Sequence, residues 1–256
     1  MAKVKQTVLV KSQEQLSEGI FSMWLHTPEI ASQAHSGQFI SIYSKDGSRL
    51  LPRPISICEI HKSQGDIRLV YRIAGQGTRE FSSCKEWDSI TILGPLGNGF
   101  PQLPQQKSVL LLGGGIGIPP MLQAAKELSG EKTVVLGYRD HLFLKDAFLD
   151  LGKVYVATED GSEGTKGNVL DAVNENGIKA DVILACGPTP MLRAVKQYAL
   201  GHQIECYLSL EEKMACGVGA CLACVCQSKD VDSHSHVHNK RICKDGPVFR
   251  AEEVEL

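Results

Sequence analysis

The sequence predicts an α+β multidomain chain: an N-terminal six-stranded antiparallel β-barrel, a central parallel α/β nucleotide-binding domain, and a small C-terminal cysteine-rich domain. Three observations carry that prediction. Short β-rich runs separated by turn residues fill the first hundred positions. A strand–helix rhythm follows, with largely apolar strands. Five of the nine cysteines then crowd into positions 216–243. The corresponding boundaries are 1–101, 102–203 and 204–256.

The barrel strands are expected at 7–10, 20–26, 38–43, 55–60, 67–72 and 89–93, with turns such as Ser63-Gln64-Gly65-Asp66 between them. Six short runs at this spacing suit a closed antiparallel structure better than a βαβ sheet. The stretch Gly94-Pro95-Leu96-Gly97-Asn98-Gly99-Phe100 is dense in chain-breaking residues and marks a boundary. Beyond it, apolar strands are expected at 108–112, 133–137, 153–157 and 181–185, with helices over 119–128, 167–176 and 189–200. Alternation of buried strands and helices is the pattern of a parallel sheet. The tail from 204 is too short to build much core alone, and a bound metal centre would staple it.

Composition limits the function. Hydrophobic residues make up 43% of 256, enough for real cores, and the formal net charge of −2 argues against a nucleic-acid-binding face. No apolar run approaches the ~20 residues that span a bilayer. The first residues carry no apolar signal core, so a cytoplasmic location is expected.

The cysteines are the sharpest signal. Cys216-x4-Cys221-x2-Cys224, followed at a distance by Cys243, is the ligand order of a plant-type [2Fe–2S] centre. Gly217 and Gly219 let the backbone pass close to the sulfurs, where amide hydrogens stabilise negative charge. The other reading is a structural zinc site, but such sites usually show two short cysteine pairs. Cys226 reads as a non-ligand, because using it would displace the x2 spacing. His234, His236 and His238 would share one strand face and suit a stray metal, although a polar loop tip is the simpler reading.

Two further sites are expected. In Arg53-Pro54-Ile55-Ser56 the arginine can hold a pyrophosphate through forked hydrogen bonds and the serine can reach the polar edge of a flavin. Val70-Tyr71-Arg72 offers a ring and backbone to flank the cofactor. Gly75-Gln76-Gly77-Thr78 precedes a short helix and presents bare amides to a phosphate. For a nicotinamide dinucleotide, the turn after 108–112 carries Gly113, Gly114, Gly115 and Gly117 before Pro119-Pro120. It fails the G-x-G-x-x-G fingerprint, because Pro120 takes the third glycine's place. A second loop, Cys186-Gly187-Pro188, follows a buried strand and opens another helix, where open α/β sheets bind ligands.

With these motifs together the chain resembles the ferredoxin–NADP reductase superfamily. The run Met214 to Cys224 and the ending Cys243-Lys244-Asp245-Gly246-Pro247-Val248-Phe249 look more particularly like the electron-transfer subunits of NAD-dependent (class 1B) dihydroorotate dehydrogenases. That resemblance covers essentially the whole chain. It implies FAD held by Arg53–Ser56, Val70–Arg72 and Gly77-Thr78, a [2Fe–2S] cluster on Cys216, Cys221, Cys224 and Cys243, and NAD(H). It implies an FMN-containing catalytic partner in a two-plus-two heterotetramer, with electrons passing from dihydroorotate through the cluster and FAD to NAD⁺ in pyrimidine (UMP) biosynthesis. No acid–base catalytic residue is implied; Ser56 and Cys186 are the side chains expected nearest the reacting rings. Arg139 and Asp140 pull opposite ways on a 2′-phosphate, so NAD over NADP rests on the family. Two other functions fit the same residues less fully. One is a flavin and [2Fe–2S] subunit serving another partner, such as ferredoxin or a sulfide dehydrogenase. The other is a redox-sensing or zinc-stabilised binding module.

Overall fold

The computed structural model describes residues 3–232 and 236–256. Its first unit is a closed six-stranded antiparallel barrel in the order β1-β2-β5-β4-β3-β6. The strands are β1 (Val4–Ser17), β2 (Ile20–His26), β3 (Phe39–Tyr43), β4 (Arg53–His61), β5 (Asp66–Arg72) and β6 (Ser89–Leu96). Two short helices interrupt them, α1 (Pro28–Gln33) and α2 (Gln76–Phe81). Alternation places Val8, Val10, Met23, Leu25, Ile40, Ile42, Ile57, Ile67, Leu69, Ile90 and Ile92 inside. Six strands match the expected number. However, β6 runs through Gly94 and Pro95 to Leu96 and pairs with β1 and β3, so the breaker-rich stretch begins as strand.

The second unit is a seven-stranded sheet ordered β10-β9-β8-β7-β11-β12-β15. It comprises β7 (Val109–Gly114), β8 (Lys132–Tyr138), β9 (Lys153–Thr158), β10 (Thr165–Lys166), β11 (Val182–Cys186), β12 (Glu205–Ser209) and β15 (Val248–Arg250). Helices α3 (Ile118–Glu127), α4 (Val169–Glu175) and α5 (Thr189–Gly201) cover it. All pairings are parallel except β15 on β12. The sheet therefore does not stop at 203: β12 continues it, and a strand from the extreme C-terminal region closes its edge. Gly113 and Gly114 belong to β7 rather than to the turn, and Cys186 ends β11.

Between β12 and β15 the chain makes the cysteine-rich excursion, which contains the small hairpin β13 (Val225–Gln227) and β14 (Asn239–Arg241). It has little core of its own. Cys224, Ile242, Cys243, Phe249 and Val254 join one apolar cluster with barrel residues Phe39 and Leu96 and sheet residues Leu110 and Leu208. Among the described residues no helix is long and apolar enough to cross a membrane.

Candidate functional site

Every expected cofactor segment lies on the outer face of the barrel, at the carboxyl ends of the sheet strands, or on the cysteine loop. Pairing of β3 with β4 sets Ser41 opposite Pro54 and Phe39 opposite Ser56. The inward positions Ile40, Ile42 and Ile57 fill the barrel, so Ser41, Pro54 and Ser56 face outward together. Arg53 reaches from the start of β4 to the first turn of α2. A β-carbon on Gly77 would stand 2.9 Å from Arg53 Nε and 3.4 Å from Cζ, so glycine there lets the guanidinium lie against the helix backbone. First-turn amides have no partner within a helix. A guanidinium and such amides side by side make a donor set suited to a pyrophosphate. The helix starts at Gln76, earlier than the sequence indicates, because the Thr78 hydroxyl accepts from the amides of Ala74 (2.9 Å) and Gly75 (3.2 Å) and fixes the turn.

One expectation in this region fails. The Tyr71 ring does not flank the outer face: it is 1% exposed inside the barrel, donates to Gln13 Oε1 at 2.9 Å, and stacks on Phe21. Strand alternation is the reason. Val70 and Arg72 take the outer face, and Tyr71 between them must turn inward. Val70 is packed against the second unit, in the cluster containing Leu111 and Ile118, while Arg72 is exposed.

The two glycine loops meet. Strands β7 and β11 are parallel neighbours, with Cys186 opposite Gly113. From this pair the sheet grows outward in both directions, through β8 on one side and β12 on the other. Their carboxyl ends are therefore a topological switch point, where open α/β sheets hold ligands. A β-carbon on Gly117 would sit 2.5 Å from the Cys186 carbonyl carbon and 2.6 Å from Gly187 N. One on Gly114 would strike Met191 Sδ and approach Pro188 Cδ at 3.3 Å. Gly115, at φ +52°, begins the turn. Bare backbone on both sides makes a narrow floor beneath the start of α3 and of α5. Burial pushes the Cys186 thiol up to about 12, with a contrary hydrogen bond to Ser209, so it stays protonated. Ser209, opposite Cys186 on β12, is a site neighbour that the sequence does not announce.

The cysteine loop seats on the barrel beside the Pro54–Ser56 face. A β-carbon on Gly217, at φ +68°, would stand 3.0 Å from Ser41 Oγ and 3.3 Å from Leu96 Cδ1. The thiols influence one another two and two: Cys221 helps to lower the Cys216 thiol and Cys243 the Cys224 thiol, and the Cys243 amide donates to Cys224 Sγ at 3.4 Å. Burial raises the Cys216 thiol, but amides overcome it. Those of Val218 (3.4 Å) and Ala220 (3.3 Å) donate to its Sγ and bring it down to about 6. Cys224 also falls to about 6, first through Cys243 and then, against burial, through backbone amides including that of Cys243 at 3.4 Å. Cys243 is pushed up by the same pairing. Thiolate-stabilising amides suit a metal ligand. Pairing in twos suits a two-iron cluster, whose irons each take two protein ligands, better than one tetrahedral ion. Cys226 stands apart on β13, its thiol raised to about 11 by burial and bonded to the Lys240 carbonyl at 3.6 Å.

Two struts fix the loop. Buried Arg241 donates to the Gly219 carbonyl (3.2 Å) and pairs with Asp245 (3.1 Å) and Asp232 (3.5 Å). Asn98, just past β6, donates to the carbonyls of Lys244 and Asp245, both at 3.1 Å. Of the histidines, His236 and His238 lie in a bend rather than on a strand, and His238 Nδ1 bonds to the Lys229 carbonyl. His234 lies outside the described residues.

A barrel joined to a parallel sheet with glycine loops at its switch point, and an excursion that carries Cys216, Cys221 and Cys224 before its hairpin and Cys243 after it, define a flavin-reductase-type electron carrier with an appended iron–sulfur domain. Comparison bears this out. Residues 211–255 match the iron–sulfur cluster binding domain of dihydroorotate dehydrogenase B. The chain is 44% identical over 254 residues to the dihydroorotate dehydrogenase B (NAD(+)) electron transfer subunit of Listeria monocytogenes, covering 96% of this chain and 97% of that one. With its counterpart in Bacillus velezensis it shares 42% over 264 residues, covering 98% and 99%. A structure of the NADH-dependent reduced ferredoxin–NADP oxidoreductase superposes with TM-score 0.87 at 32% identity, over 97% of this chain and 89% of that one. A ferredoxin–NADP⁺ reductase from Neisseria gonorrhoeae shares the fold at TM-score 0.64 and 16% identity, over 78% and 91%. The chain belongs to the family of dihydroorotate dehydrogenase B (NAD(+)) electron transfer subunits.

Proposed function

We propose that this chain couples an FMN-containing, dihydroorotate-oxidising partner to NAD⁺, holding a [2Fe–2S] cluster and FAD on the way. Cys216, Cys221, Cys224 and Cys243 would hold the cluster. Arg53 and the amides of Gly77 and Thr78 would hold the FAD pyrophosphate. Pro54 and Ser56, with Val70, Arg72 and the backbone of Ile55 and Tyr71, would line the flavin; the Ile55 side chain itself, opposite Ile40, packs on the barrel core and not on the outer face. Gly114, Gly115, Gly117, Cys186, Gly187 and Pro188 would receive the dinucleotide. When bound, the cluster handles single electrons and the flavin exchanges them for the hydride chemistry of nicotinamide.

The chain's own residues do the positioning. The observation that carries the reading is the seat of the cysteine loop: Gly217 lies on Ser41, which stands opposite Pro54 in the neighbouring strand. A mere structural staple has no need to rest beside the flavin-facing strand, whereas an electron relay does. Protonated Cys186 presents a neutral side chain at the loop junction and does not compete as a nucleophile. In this reading the barrel face, the sheet loops and the cysteine loop serve FAD, dinucleotide and cluster, and the partner provides the pyrimidine site, docked where the cysteine loop is reached, in a two-plus-two assembly.

The test is Cys224→Ser in the reconstituted complex. NAD⁺ reduction by dihydroorotate should fall to background, while NADH oxidation by an artificial acceptor largely survives. Dihydroorotate oxidation by this chain alone, or coupled turnover at the normal rate in the variant, would refute the proposal.

A further inference from the structure

Ser41 is the one buried side-chain polar atom among the described residues that has no hydrogen-bond partner. It is 1% exposed, out of reach of bulk solvent. Unpaired buried hydroxyls are costly, and the position asks for an explanation. Three facts constrain that explanation. Strand alternation turns Ser41 outward from the barrel, between the inward Ile40 and Ile42. Pairing sets it opposite Pro54 on one side and Leu93 on the other. Across the gap lies Gly217, the residue directly after Cys216, near enough that a β-carbon there would touch Ser41 Oγ at 3.0 Å.

We infer that the Ser41 hydroxyl would donate a hydrogen bond to a sulfide of the bound cluster, so that the barrel itself sets how readily the cluster accepts an electron. The inference rests on the ligand reading given above. The loop already spends two amides on Cys216 Sγ, those of Val218 and Ala220, both from within the loop. Ser41 would add a donor from another unit. A hydroxyl has a hydrogen to give; no atom of the described chain, cysteine sulfur included, takes it, and an anionic sulfide held beside Gly217 would. Hydrogen bonds to cluster sulfurs stabilise the added negative charge of the reduced state and raise its potential. Because Ser41 also borders the flavin-facing strand, the same residue ties the geometry of the two redox sites together. It is a positioning and tuning residue, with no chemistry of its own.

The experiment uses the full chain with FAD and cluster loaded. Iron, acid-labile sulfide and zinc are measured first in the wild type; zinc in place of iron overturns the ligand reading itself. Ser41→Ala is then compared by EPR-monitored redox titration. A loss of about tenfold in the one-electron reduction equilibrium is expected, a downward shift of about 59 mV. The EPR spectrum of the reduced cluster should change with it, at normal FAD and iron content. Ser41→Thr, which keeps the hydroxyl, should restore the wild-type potential. Loss of iron from Ser41→Ala but not from Ser41→Thr supports the same contact. The inference is overturned if Ser41→Ala titrates as wild type with iron confirmed. It is equally overturned if the flavin potential moves and the cluster's does not, or if Ser41→Thr behaves as Ser41→Ala.

Discussion

Gly117→Ala probes the junction of the two glycine loops directly. Gly117 has φ −81° and ψ −9°, an ordinary conformation for alanine, so the substitution tests space alone. The new methyl would lie 2.5 Å from the Cys186 carbonyl carbon and 2.6 Å from Gly187 N. Both atoms are backbone, and real β-carbons do not approach so closely. Relief requires the start of α3 and the 186–188 loop to part by about 1 Å, on the scale that costs ~100-fold in a positioned reaction. Forcing a methyl into packed structure also costs about 1–3 kcal/mol of stability. The assay is NADH oxidation by ferricyanide, which reads the nicotinamide-to-flavin step. We expect kcat/KM to fall ten- to a hundredfold, chiefly through KM, with a melting temperature several degrees lower. FAD and iron content should not change, since their proposed ligands lie elsewhere. An unchanged KM in a folded variant would refute the assignment of this junction to the dinucleotide.

Other perturbations test other parts. Arg53→Ala should weaken FAD by roughly 2–5 kcal/mol, more than tenfold, if it leaves a buried phosphate unpaired; full FAD retention after dialysis would refute its role. Arg241→Met removes a cation enclosed by Asp232 and Asp245, a loss of about 3–5 kcal/mol for a broken buried pair. It should hasten iron release to a chelator without affecting FAD. Glu59, buried between Arg68 (2.7 Å) and Lys126 from α3, joins barrel to sheet. Burial raises its carboxyl, but hydrogen bonds from Lys126 and Arg68 overcome that and hold it below 4.5. Its contribution is therefore complete above pH 4.5 and lost as pH falls through the lowered value. Glu59→Gln should be less stable at pH 7 and show a shallower loss in acid; an unchanged acid limb by thermal melts would count against this.

Much of the fold was legible because the residues repeat their reasons. Barrel strands such as 20–26 and 67–72 announce themselves by β-rich composition between turns, and the cysteine spacing carries its chemistry openly. What escaped did so for physical causes. Strand β15 has three residues and pairs with a segment far earlier in sequence, so it has no local signal, while β12 (Glu205–Ser209) falls just past the expected boundary at 203, where the cysteine-rich tail is taken to begin. Gly113 and Gly114 look like turn residues, yet in a buried parallel strand small residues admit the close neighbours Met191 and Ile118. Tyr71 follows from parity: Arg72 faces water, which sends its strand neighbour inward. Ser41 and Ser209 could not be found, because a strand serine reads alike whether it meets solvent, a neighbouring thiol or a seated loop.

The antiparallel edge pairing has a further consequence. Ser209 stands directly opposite Val248, and the Leu210 amide donates to the Pro247 carbonyl at 2.9 Å, so the chain leaves and re-enters the sheet at one point. Everything between is a closed insertion with both ends clamped. Such a segment can open as a unit while its clamp survives, because local unfolding follows cooperative boundaries. Chain without iron should then be nicked by protease between 211 and 246 and yet keep its flavin and nicotinamide halves assembled. The insertion would behave as a cartridge: loaded, emptied or damaged by oxidants on its own schedule, within a reductase that remains folded throughout.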